Sequence, residues 1–144
     1  MLRAWGERIG RAAARPLVLA LSGELGAGKS VLARAVARGA GVTSPMPSPT
    51  FNLVFRYETA QGAVLHLDLY RLTRPDEVWE LGWRELGEGE DIALIEWPER
   101  AAALLPPDRW DVRLEPIPGA PLLRAVQAAA RGAVRALPVP EETA

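Results

Sequence analysis

The chain has 144 residues, 49% hydrophobic and 24% charged, with a formal net charge of -1. That length suits one domain able to bury a core without staples, and the hydrophobic content excludes a chain too polar to fold. The balanced charge excludes the broad basic footprint of a protein that grips nucleic acid, and the lack of cysteine excludes disulfides and thiolate zinc sites.

Residues 3–14 are rich in Ala and Arg and read as a helix with Trp5 and Ile9 on one face. Arginines followed by the apolar run Leu17 to Leu21 imitate a secretory leader. That run is shorter than the roughly 7–15 residues a leader requires, and it reads instead as a strand buried on both faces. No apolar run approaches the ~18 residues of a membrane span, and with no cysteine to protect, the cytoplasm is the expected location.

After the strand comes GELGAGKS, Gly23 to Ser30, and then Val31, Leu32, Ala35 and Val36 at helical spacing until Gly39 and Gly41 stop the helix. Ser44 to Thr50 holds three prolines in seven residues and is a loop. Phe51 to Tyr57 and Val64 to Tyr70 read as an antiparallel hairpin. Thr73 to Leu86 reads as a helix with Pro75 near its start. Ile92 to Ile95 is a second buried strand ending on Glu96, and Pro98 opens a short helix through Leu105. Trp110 to Leu114 reads as a strand. Pro121 to Leu137 reads as an Ala-rich helix with a stripe of Leu123, Val126, Ala130, Val134 and Leu137. One domain over residues 1–137 with a frayed tail at 138–144 is the expected organisation.

Strand, glycine-rich loop and helix in that order are the context a P-loop demands. The glycines let successive amides converge on an anion at a helix N-terminus. Gly26, Ala27, Gly28, Lys29, Ser30 and Val31 are the expected phosphate-binding residues, with Lys29 on the β- and γ-phosphates and the Ser30 hydroxyl on Mg²⁺. Lys29 is also the one lysine among seventeen basic residues. A guanine-reading Asn-Lys-x-Asp motif needs a second lysine, so ATP is the expected nucleotide.

The carboxylates such a site needs have two candidates. Glu96 ends a buried strand, where ligands sit in open α/β sheets. In HLDLYR, alternation places His66, Asp68 and Tyr70 on one face, which by periodicity alone is the polar face of a half-exposed strand. A lone histidine is more often a hydrogen-bonded residue than a catalyst. Trp97 either stacks on a base or packs in the core.

Four segments in order, GELGAGKS at 23–30, SPTF at 48–51, HLDLYRL at 66–72 and IEWPER at 95–100, together resemble the TsaE family of P-loop ATPases that serve tRNA threonylcarbamoyladenosine formation. The resemblance implies an α/β three-layer sandwich with a mostly parallel central sheet and an antiparallel hairpin. It implies catalytic roles for Lys29, Asp68, Glu96 and Thr50, Thr50 being the threonine of a switch-like loop. Ser30 and Glu96 would hold Mg²⁺ directly or through water, and Trp97 would lie beside the nucleotide. Glu96 could equally orient the attacking water. The implied partners are TsaB- and TsaD-type proteins, with tRNA reached only indirectly. The alternative from the residues alone is a small-molecule P-loop kinase, with Arg71, Arg74 or Arg100 on its substrate. Compared with the family's usual pattern, little chain precedes the first helix, and nothing beyond Glu115 matches.

Overall fold

A computed structural model describes residues 2–46 and 53–138. In chain order these form α1 (Leu2–Ala12), β1 (Leu17–Ser22), α2 (Lys29–Gly39), β2 (Val54–Glu58), β3 (Ala63–Asp68), β4 (Ile92–Glu96), β5 (Arg109–Ile117) and β6 (Ala120–Arg131). Short 3₁₀ segments at Pro75–Leu81, Trp83–Glu85 and Pro98–Leu104 fill the connections on either side of β4.

The strands make one six-stranded sheet in the order β2-β3-β4-β1-β5-β6. The three central pairings are parallel, and the outer pairs β2/β3 and β5/β6 are antiparallel. β1 and β4 are apolar on both faces because both are covered, as parallel strands require. On one face α1 and α2 bring Trp5, Ile9, Leu32 and Val36 onto Leu17, Leu19, Leu21 and Leu94. On the other, Val78, Trp83 and Ala101 of the 3₁₀ segments cover Val18, Leu67, Ala93 and Ile95. This is the expected three-layer arrangement, mostly parallel at its centre.

α1 and α2 pack at backbone contact. A Cβ on Gly10 would stand 2.1 Å from the Val36 carbonyl oxygen, so only glycine permits the approach.

Two expected helices are absent. Pro121 to Leu137 is not helical: Gly119, at φ 78°, turns the chain so that Ala120–Arg131 runs back along β5, with Val126 opposite Leu114. Alanine's helix preference is a weak prior, and here a ladder of nine residue pairs with β5 overrides it. Thr73 to Leu86 is also not an α-helix. The Glu77 carboxylate accepts from the Arg74 amide at 2.8 Å, starting a 3₁₀ segment, and Gly82 at φ 74° then interrupts it. The hairpin, by contrast, forms as expected, with Val54 opposite Leu67 and Glu58 opposite Ala63. At the expected tail, the Pro138 carbonyl accepts from Trp5 Nε1 at 2.7 Å, and residues 139–144 lie outside the described residues.

Candidate functional site

Parallel register sets the site. Asp68, the last residue of β3, pairs with Glu96, the last of β4, and Glu96 pairs with Leu21 near the end of β1. Two carboxylates and the start of the glycine loop therefore meet at the C-terminal edge of the parallel strands, where open α/β sheets hold ligands.

The loop leaves β1 at Gly23 and enters α2 through Gly28, at φ 104°. The Ala27 amide donates to the Glu24 carbonyl at 2.9 Å, closing the loop on itself. The first intrahelical bond of α2 runs from the Leu32 amide to the Gly28 carbonyl, so the amides of the preceding turn have no partner within the helix and are available to an anion. A cleft of about 290 Å³ opens in front of them, lined by Gly26, Gly28, Lys29, Ser30, Val31, Asp68, Glu96 and Trp97, with Leu25, Leu53, Tyr70 and Arg71 at its sides. Of the expected phosphate-binding residues, Ala27 alone does not face this cleft; its methyl is buried in the core.

Lys29 is 4% exposed. Its ammonium donates to the Gly23 and Glu24 carbonyls at 2.6 and 2.8 Å and lies 4.0 Å from the centre of the Trp97 ring. Burial lowers its pKa from the ordinary lysine value, against the pull of Glu96, Glu99 and Asp68. Trp97 is the one described non-glycine residue with positive φ, at 57°. Its ring meets Tyr70 at 4.9 Å, and the Arg100 guanidinium lies 5.5 Å from the Tyr70 ring. A cation–aromatic ladder thus runs from Arg100 at the surface to Lys29 inside.

Glu96 is 2% exposed and uses both oxygens. Oε1 accepts from the Ser30 hydroxyl at 2.9 Å, and Oε2 is hydrogen-bonded to His66 Nε2. His66 is itself buried, so strand alternation placed it correctly on the face of Asp68 but missed its role: that face, shared with Val64 and Leu94, is covered on the α1/α2 side rather than open to solvent. Asp68 is half-buried. Burial raises its carboxyl above the ordinary aspartate value, although the Tyr70 amide, donating at 3.1 Å, opposes the shift. Thr50, with the rest of SPTF, lies outside the described residues.

Arg124 had no sequence signal as a site residue. From β6 its Nε donates to the Ala27 carbonyl at 2.9 Å.

Residues 1–119 match the family model for "Threonylcarbamoyl adenosine biosynthesis protein TsaE". The chain belongs to the TsaE family. It is 39% identical over 92 residues to the tRNA threonylcarbamoyladenosine biosynthesis protein TsaE of Haemophilus influenzae, covering 64% of this chain and 58% of that protein. The TsaE of Synechocystis is 38% identical over 104 residues, covering 69% and 66%. The TsaE of Treponema pallidum is 35% identical over 102 residues, covering 71% and 75%. Against the Haemophilus relative the chain thus spans less than two thirds of the length. The crystal structure of Bacillus subtilis YdiB superposes with a TM-score of 0.71 at 25% identity, over 91% of this chain and 79% of that one.

Proposed function

We propose that this TsaE-family chain is the ATP-binding and ATP-hydrolysing subunit of a cytoplasmic tRNA threonylcarbamoyladenosine system, acting on a complex of TsaB- and TsaD-type proteins. The observation that carries the reading is the contact of the Ser30 hydroxyl with a buried Glu96 beside helix-start amides that have no partner within the helix. A phosphate cradle alone binds an anion; a hydroxyl and carboxylates set against it suit a metal-bound triphosphate.

The donor set fits Mg²⁺. Ser30, Glu96 and Asp68 offer oxygen only, as a hard cation prefers. Among the described residues no cluster of three or more His, Cys, Asp or Glu could cage a metal, which suits an ion held chiefly by one or two protein oxygens, water and phosphate. Ser30 and Glu96 would hold it, directly or through water, and when bound it supplies charge neutralisation on the β- and γ-phosphates.

The chain's own residues take the remaining tasks. The amides of Gly26, Gly28, Lys29, Ser30 and Val31 and the Lys29 ammonium bind phosphate. Asp68, turned into the cleft, orients the attacking water or the metal's water shell, and Thr50 serves the switch-like loop. Trp97 holds Lys29 and borders the nucleotide. His66 fixes Glu96 from behind. The near-neutral net charge suits a subunit that reaches tRNA only through its partners, and no helix among the described residues is long and apolar enough to cross a membrane.

A pull-down of TsaB- and TsaD-type proteins with and without ATP, joined to a phosphate-release assay, tests the reading. ATP-dependent capture with slow phosphate release is expected. Capture of neither partner would remove the tRNA role, and a phosphorylated metabolite in place of free phosphate would favour a kinase.

A further inference from the structure

Arg124 lies on β6, five residues beyond the segment matched by the family model. Its Nε donates to the Ala27 carbonyl at 2.9 Å, and its Nη2 stands 3.5 Å from the Gly26 carbonyl. Its Nη1 donates to the carbonyls of Pro121 and Leu123, at 2.8 Å each. One guanidinium therefore ties two peptide units of the glycine loop to the backbone of an edge strand.

The geometry bears on which way the loop's amides face. In a trans peptide the carbonyl and the following N–H point in opposite directions. Drawing the Ala27 carbonyl to Arg124 turns the Gly28 N–H the other way. The loop alone enforces this weakly, because the 27–28 unit turns about ψ of Ala27 and φ of Gly28, and Gly28, at φ 104°, is a glycine that accepts either hand. A flip of the 27–28 peptide would point a carbonyl where an anion needs a donor.

We propose that Arg124 is a positioning residue that locks the 26–28 peptides with their amides in the anion-binding orientation, making nucleotide affinity depend on β6. The inference rests on the reading that this loop binds the phosphates of ATP. It gives a task to a strand that contributes no described residue to the cleft. Arginine suits the task because its rigid fork serves several carbonyls at once, whereas a lysine ammonium serves fewer with less directional control.

The test compares the full chain with Arg124→Ala and Arg124→Lys by amide hydrogen exchange over residues 23–30 without nucleotide, by urea unfolding, and by Mg·ATP titration. In Arg124→Ala, exchange of the Ala27 amide, held in the wild type by the Glu24 carbonyl, is expected to quicken about tenfold and the Kd for Mg·ATP to rise about tenfold, the effect of losing hydrogen bonds from a charged donor. Arg124→Lys should recover part of both, and the urea midpoint should move little. Wild-type loop exchange and affinity in Arg124→Ala overturn the proposal, as does faster exchange spread evenly through the chain. If the wild type binds no Mg·ATP while the variant's loop still loosens, the nucleotide reading fails and the clamp stands.

Discussion

His66→Leu probes the buried end of the site. The imidazole is one of two partners of a carboxylate only 2% exposed, and leucine fills similar space without a donor. Leucine offers Oε2 no donor, so the variant leaves a nearly buried carboxylate oxygen without its partner. Leaving a buried charged acceptor unpaired costs about 2–4 kcal/mol. With a urea m-value of roughly 1–3 kcal/mol/M, the unfolding midpoint should fall by about 1–2 M. His66→Gln keeps an N–H at similar reach and should lose about half as much. The same change frees Glu96 to turn from Ser30, so the Mg²⁺ concentration for half-maximal ATP turnover should rise about tenfold, with His66→Gln between the two. Urea unfolding and a Mg²⁺ titration of phosphate release measure both effects. A His66→Leu protein with the wild-type midpoint and the wild-type Mg²⁺ requirement would refute the reasoning.

Lys29→Ala should weaken ATP binding at least about a hundredfold by calorimetry, because no other lysine can take its place. Asp68→Asn should trade activity for stability. Burial raises the carboxyl's pKa in the fold, so ionising it costs the native state as pH climbs past the unfolded value of about 4. The asparagine variant should melt above wild type at pH 7, converge with it below about pH 4, and lose turnover. Gly10→Ala should lower stability by about 2–3 kcal/mol in urea, since its Cβ would meet the Val36 carbonyl at 2.1 Å.

What could be read in advance was whatever local chemistry dictates. The P-loop is a backbone device, and its glycines, lysine and hydroxyl announce it within eight residues. Glu96 was legible because a charge at the end of an apolar strand must lie at the sheet's edge. Pairings across the chain were not. His66 and Glu96 are thirty residues apart, and alternation identifies a face without saying what it meets. β6 was hidden for a different reason: its alanines favour a helix, and only the turn at Gly119 and the length of the β5 ladder make it a strand. Misreading that segment concealed Arg124, whose position depends on the strand.

The solitary lysine has a consequence for chemical probing. Sixteen of the seventeen basic residues are arginine, so apart from the chain's α-amine, Lys29 is its sole primary amine. Its depressed pKa gives it more free base at neutral pH than an ordinary lysine, while burial shields it from bulk reagents. Acylating and aldehyde labels should therefore react at a single internal atom, and only when the loop opens. Without any substitution, the protein carries a single internal reporter, readable by peptide mass, on the nitrogen proposed to meet phosphate.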